Sequence, residues 1–408
     1  MEEAEQLDAE ADAVEEARIA GVSKWGSELP PPFLQQLLEV LEWEPAVCGA
    51  IRATCSTWGA MHDALCRTLQ PWSSAAVMEG KWGWFQSVTE VDLTECEPSM
   101  SVVQLNLHWV RSLPSLHTLH LPVSCAESAV EAEALYGVTT LTTLCFCETR
   151  DTDEHGDLAE EDERAWELDL SRLTTLTELH LESCPSVTDE QVRSVSNLAG
   201  LTFLNLGNCQ NQTGSGLGSS LASLTKLNLH GIEEITAAGM RAVSSLPALT
   251  HLNLNHCSNV EELREVGNLT GLTDLNLNFY FNTANATDEV MHAVSGISAL
   301  TSLDLTACRN ITSEALCEVG NLTALTKLNL FYSHSNVTNE LLVVVSSLTA
   351  LTYLNLANCY QITDHGLRRL TSLHALTSLY LFNCDDVTAA GKQALRAALP
   401  SLTIYDGL

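Results

Sequence analysis

From Leu116 onward the chain repeats one short phrase, and no other feature narrows its possible folds so far. Leu176-Thr-Glu-Leu-His-Leu is followed by Leu201-Thr-Phe-Leu-Asn-Leu, Leu224-Thr-Lys-Leu-Asn-Leu, Leu249-Thr-His-Leu-Asn-Leu and Leu272-Thr-Asp-Leu-Asn-Leu. Leu300, Leu325, Leu351 and Leu376 open further copies; Val88, Leu116 and Leu141 open weaker ones, and Leu402 a frayed last one. From Leu176 the copies start 23 to 28 residues apart. A period of this length marks a stack of one supersecondary unit. Within each unit, Leu-x-Leu alternates with period two and predicts a short strand with leucines on one face. The segment after it has helical spacing, as in Leu367, Leu370 and Leu373. Thr188, Thr236, Thr287, Thr312, Thr338, Thr363 and Thr388 stand where those helices begin, and a hydroxyl there takes up free N–H groups of the first turn. Acids such as Asp189, Asp288, Glu314, Glu340 and Asp364 follow within two residues and complement the helix dipole. Each unit therefore reads as a strand and a helix, with parallel strands and helices outside. One unit cannot bury its own leucines. Stacking does so, each buried leucine contributing roughly 1.5–3 kcal/mol. Such an array rests on nearest-neighbour contacts and needs capped ends. The N-terminal block and a last helix from Ala389 to Leu399 are the candidate caps.

The chain has 14 cysteines. Cys96, Cys184, Cys209, Cys257, Cys308, Cys359 and Cys384 each fall three residues after the second leucine of the Leu-x-Leu phrase. A repeat position turned inward suits a small buried thiol better than a disulfide framework. Reduced thiols also fit an intracellular compartment. Cys145-Phe-Cys147 lacks a second pair at metal-ligand spacing and reads as strand. The phrase, its period and its cysteine resemble the cysteine-containing subtype of leucine-rich repeat across most of residues 88–408. That resemblance implies an α/β solenoid, a horseshoe with parallel strands inside and helices outside. Asn-x-Thr sequons at Asn268, Asn285, Asn310, Asn321 and Asn336 recur because the repeat recurs, and without a secretory signal they are expected to stay unmodified.

Residues 1–22 form an acidic tail, with eight acids in the first sixteen positions, and are expected to be disordered. Residues 23–70 differ again: six of the eight tryptophans lie between Trp25 and Trp84. Leu29-Pro30 begins a helix well, and Leu34, Leu37, Leu38 and Leu41 form one apolar stripe. A second helix leads to Cys55-Ser-Thr-Trp58, and a third is expected from Trp58 to Leu69. Leu29-Pro30, Leu37, Leu41, Cys55 and Trp58 resemble an F-box in order and distance. Pro32 and Ser56 depart from that family, which often has an acid and a base there. The resemblance implies that Leu29, Pro30, Leu37, Leu41 and Trp58 dock on the adaptor of a cullin–RING ubiquitin ligase of the SCF type. The repeats would then hold an unknown protein substrate for ubiquitination. The alternative is a non-catalytic leucine-rich-repeat scaffold whose N-terminal helices are only a cap. Residues 71–87 read as a linker to the solenoid at 88–408.

Acids outnumber bases 52 to 19, for a formal net charge of −33. Nucleic acid and anionic membrane would be repelled. No apolar run reaches the roughly 18 residues that span a bilayer, and the N-terminus lacks the basic and apolar regions of a signal peptide. A cytoplasmic protein is expected, with passage to the nucleus left open. No catalytic, cofactor or metal constellation stands out, so a non-enzymatic binding protein is expected. The spacing between Leu141 and Leu176 is about ten residues too long, and the insertion near 150–169 carries ten acids from Asp151 to Asp169. It reads as a solvated excursion. Strand residues between inward leucines run His180, Asn205, Asn228, Asn253, Asn276, Asp304, Asn329, Asn355 and Tyr380, a monotony that suggests a ladder of amides. Aromatic residues gather in the last repeats. Phe279, Phe331, Tyr332, Tyr353, Tyr380 and Phe382 are the candidate substrate contacts, with Phe331 and Phe382 expected to face solvent. Tyr280 occupies the inward cysteine position and is expected in the core.

Overall fold

The structure, a computed structural model, describes residues 68–69, 87–94, 107–147 and 166–407, apart from 185, 258, 261, 281–286 and 335. The F-box-like residues Leu29, Pro30, Leu37, Leu41 and Trp58 lie outside the described residues, as do the acidic tail, Cys96, Phe281 and most of the acidic insertion.

The chain divides into two compact units: Met1–His120 with Glu133–Leu141, and Leu121–Ala132 with Thr142–Leu408. In the first, strand Thr68–Leu69 pairs parallel with Glu90–Asp92, which pairs parallel with the start of strand Thr118–Pro122. Arg111 secures a turn here. Its Nε donates to the Ala134 carbonyl at 2.9 Å and a terminal nitrogen donates to the Glu133 carbonyl.

In the second unit one leucine of each phrase sits in register with the next. Leu144 pairs across to Leu179, Leu204, Leu227, Leu252, Leu275, Leu303, Leu328, Leu354, Leu379 and finally Ile404, all in parallel strands. All are buried. The frayed phrase at Leu402 thus completes a last strand, Thr403–Tyr405. The helical layer is less uniform. Helices run over Asp189–Val195, Ala237–Ser244, Asp288–Ser295, Asn339–Val345 and Ala389–Ala398. The segment Leu263–Asn268 is a 3-10 helix, and Asp364–Leu367 passes into a 3-10 turn at Arg368–Ser372. The copy opened by Leu201 has no helix at all. There Gly216 passes so close to the preceding repeat that a Cβ would sit 2.3 Å from the Asp189 carbonyl oxygen.

Six of the seven expected threonine caps form. Thr188, Thr236, Thr312, Thr338, Thr363 and Thr388 accept from first-turn N–H groups, whereas Thr287 makes no such bond. The acids beside them do more than face a dipole. The Asp288 carboxylate accepts from the Thr312 N–H at 2.7 Å and hydroxyl at 2.9 Å, one repeat later. Asp364 accepts in the same way from Thr388, and Asn339 does so for Thr363 with an amide oxygen. These three caps are thereby tied to the preceding repeat. The last residues of the acidic insertion, 166–169, are also less free than expected. Trp166 is buried edge-on to Phe146 with ring centroids 5.2 Å apart, and Glu167 and Leu168 N–H groups donate to the Ala126 carbonyl.

Candidate functional site

The face of the sheet opposite the leucines is built by three outward positions per repeat, and from Asn205 to Asn355 the middle one is always Asn or Asp. Its side chain closes the strand. The Oδ1 of Asn228, Asn253, Asn329 and Asn355 accepts from the backbone N–H two residues on, at 3.0–3.1 Å. Lateral links occur in two places: Asn228 donates to Asn205 and Asn205 to Glu182, while Asn329 donates to Asp304 at 2.8 Å. The expected amide ladder is therefore local, and strand-ending turns are the commoner use of these amides. The chain then turns through a left-handed residue: Ser183, Asn208, His256, Ala307, Tyr332, Asn358 or Asn383, with Gly231 in one copy. That turn aims the next residue into the core. Cys184, Cys209, Cys257, Cys308, Cys359 and Cys384 are buried and free, as the repeat position implied. Cys209, Cys257 and Cys384 donate to leucine carbonyls of the previous repeat at 2.9–3.1 Å. Burial pushes the Cys209 and Cys257 thiols up to about 12, so neither is a nucleophile at neutral pH.

Charge is distributed unevenly. The chain carries −33, yet the last three strands present Tyr353, Asn355, Ser378, Tyr380, Thr403 and Tyr405 outward, with no ionised group among them. Phe382 lies one outward position further on. These rings touch. Tyr380 stacks on Tyr405 with centroids 4.4 Å apart and stands 5.3 Å from Tyr353 and 6.2 Å from Phe382. Tyr405 and Phe382 remain 39% and 38% exposed. Burial raises the Tyr353 hydroxyl above the usual phenol range, with the neighbouring Tyr380 adding to it, so Tyr353 stays uncharged at neutral pH. Lys327 on one flank is the register partner of Tyr353.

A second cluster gathers at the turns beyond the strands. Tyr332 is its hub, 5.8 Å from Phe331, 5.5 Å from Tyr280 and 4.3 Å from His334, which stacks on Tyr360 at 5.1 Å. The Arg309 guanidinium lies 4.3 Å over the Tyr332 ring. Tyr332 and His334 both adopt left-handed backbone, with φ of 61° and 44°. That conformation costs a non-glycine residue about 1–2 kcal/mol.

The structure thus brings five of the six expected contacts, Phe331, Tyr332, Tyr353, Tyr380 and Phe382, into these two clusters. Phe382 is exposed as expected, and Phe331 is half-buried. Phe279 is a correction: it is 1% exposed and belongs to the core, while Tyr280, expected inside, is 48% exposed. At position 279 the backbone lacks the left-handed turn, so the strand alternation of Leu275 and Leu277 continues inward through Phe279. The Asn278 side chain accepts from the Tyr280 N–H and sends the tyrosine outward. Tyr360, Tyr405, Arg309 and His334 were not singled out by sequence. For Arg309, His334 and Tyr360 the signal was available, because each directly follows an inward turn residue, Cys308, Ser333 or Cys359. Among the described residues no group of His, Cys, Asp and Glu could hold a metal ion, and no helix is long and apolar enough to cross a membrane.

Comparison with known proteins agrees with this geometry. The family described as leucine-rich repeat region matches residues 169–399. The internalin InlF of Listeria monocytogenes is similar in structure, with a TM-score of 0.51 and 18% identity over 80% of this chain and 82% of the internalin. A leucine-rich-repeat protein of Leptospira interrogans gives a TM-score of 0.47 and 16% identity over 85% of this chain and 91% of its own. No curated protein matches the chain. With the in-register leucines, the buried turn cysteines and a family match over more than half its length, the chain belongs to the leucine-rich repeat family.

Proposed function

We propose that this chain is a non-enzymatic receptor that holds a protein partner on the sheet face of its last repeats. The observation that carries the reading is the uncharged tyrosine patch of Tyr353, Tyr380, Phe382 and Tyr405 in a chain of net charge −33. Exposed clustered aromatics are expensive to leave in water and serve as binding anchors. In the finer reading, the receptor works in a cullin–RING ubiquitin ligase. The F-box-like residues Leu29, Pro30, Leu37, Leu41 and Trp58 would engage the ligase adaptor, and the repeats would present the partner for ubiquitination in the cytoplasm, or in the nucleus as well. Sequence resemblance supports this part. The competing reading, a repeat scaffold with a helical cap, shares the aromatic face and drops the adaptor.

Calorimetry with purified adaptor separates the two. The full chain is expected to bind at micromolar concentration or tighter, and Leu37→Lys with Trp58→Ala to weaken binding by about 100-fold, since buried anchors of this kind cost 2 kcal/mol or more. The melting temperature of the repeats should not move. Absence of heat at micromolar adaptor would favour the scaffold.

A further inference from the structure

Arg309 is an odd residue for its surroundings. Acids outnumber bases 52 to 19 in this chain, yet its exposed guanidinium makes no ion pair with any carboxylate among the described residues. It lies instead over the Tyr332 ring, 4.3 Å from its centroid. Its loop is pinned from behind, because the Asn336 amide donates to the carbonyls of Arg309 at 2.5 Å and Ile311 at 2.7 Å. One repeat on, His334 occupies the same position in its own turn, 4.3 Å from Tyr332 and 5.1 Å from Tyr360. Its Nδ1 is buried without a hydrogen-bond partner among the described residues. Burial, and secondly the charge of Arg309, hold this imidazole below its usual range, so the ring is neutral near pH 7; with Nδ1 shut off from solvent, its single N–H is available to an incoming oxygen at Nε2. Tyr332 takes the left-handed backbone common to its repeat position, whereas His334 adds a second such residue that Arg309, Tyr360 and Asp385 lack at the same place, and strain of that kind collects at ligand-binding positions. Asp385 holds the same repeat position after Tyr360 and limits the basic region on that side.

We propose that Arg309 and His334, framed by Tyr280, Tyr332 and Tyr360, form a subsite for one anionic side-chain group, carboxylate or phosphate, on a protein segment lying across the last repeats. The planar guanidinium offers a fork of donors to two oxygens, the imidazole adds a third donor, and the rings take up the flanking apolar atoms. The strongly acidic chain repels an acidic segment as a whole. The anion must therefore stand alone on an otherwise neutral or basic segment. This inference rests on the reading that these repeats receive a protein partner, but it is tested without one.

The probes are the amides of N-acetylglutamate and N-acetyl-O-phosphoserine, with N-acetylglutamine amide as the neutral control. The full chain carries isotope-labelled histidine, and the His334 ring signal is assigned by its loss in His334→Gln. A saturable shift of that signal is expected with one or both anionic probes below about 20 mM, the range of a single weak contact. The control should give none, and Arg309→Gln should weaken binding by about tenfold or more. The stronger anionic probe identifies the source. A shift that is absent with both anions, equal with the control, or unchanged in Arg309→Gln at an unaltered melting temperature overturns the subsite. Replacing Tyr380 and Tyr405 by alanine should leave this titration intact, so a failure of the receptor reading and a failure of the subsite are seen separately.

Discussion

Individual side chains in this chain are assigned by repeat position more than by residue type. Six of the recurring cysteines are buried thiols, and Cys209, Cys257, Cys359 and Cys384 donate to carbonyls of the preceding repeat. Cys147 is exposed. Under native conditions a thiol reagent should therefore modify Cys147 quickly, while peptides containing Cys209, Cys257 and Cys308 stay unmodified until denaturant is added. Rapid native labelling of Cys209 would show that the turn is open. Asp364 offers a test by pH. Hydrogen bonds from Thr388 hold its carboxyl below the usual carboxylate range. A folded-state value below the unfolded one means that the ionised group stabilises the fold above the unfolded value. That contribution is lost as pH falls through the folded value. Asn339 fills the same place one repeat earlier with an amide. Asp364→Asn should thus keep the acceptor and flatten the acid side of the melting-temperature profile. Identical profiles for the two proteins would mean that the carboxylate contributes nothing.

Strands and helices obey local chemistry until a neighbouring repeat overrules it. The threonine caps were legible because a hydroxyl before an acid is a helix-start signal in any context. The glycine-rich copy after Leu201 could not be read as helix-free from its period, because the contact that displaces the helix, Gly216 against Asp189, comes from another repeat. A second threonine series had no signal in propensity. In the Leu-Thr pairs that open each strand, Thr202, Thr225, Thr250 and Thr273 donate their hydroxyls to the carbonyl of the equivalent threonine one repeat before, at 3.0–3.1 Å. The same link continues through Thr301, Thr326, Thr352 and Thr377. Thr225→Val keeps the shape and removes one such bond, and should cost about 0.5–1.5 kcal/mol in denaturant unfolding. A cost of zero would make the hydroxyl column a by-product of strand propensity.

Taken as a whole, the second unit is held by leucines that stand in register with their equivalents in adjacent repeats. Leu303 is 1% exposed and pairs across to Leu275 on one side and Leu328 on the other. Leu303→Ala should cost about 2–5 kcal/mol. In a nearest-neighbour array that loss should be local. Amide hydrogen exchange should quicken most in Asp274–Asn276, Ser302–Asp304 and Lys327–Asn329 and least in Glu178–His180. Uniform quickening would indicate a single cooperative unit. The closing strand depends on the last helix, where Lys392 and Arg396 reach Asp406 at 3.2 and 3.8 Å.

The linear order of residues was enough to establish the repeat, the strand register and the inward thiols, because period-two leucines spaced by near-equal segments admit one way of stacking without exposing apolar surface. Where each aromatic ring ended up was not contained in that pattern. Phe279 and Tyr280 exchanged their expected places through one backbone torsion and one Asn278 hydrogen bond, and both are set by the turn rather than by the repeat. The meeting of Arg309, Tyr332, His334 and Tyr360 likewise required three successive turns to be laid side by side. Burial periodicity is a property of the chain read locally, whereas proximity between repeats exists only once the array has stacked.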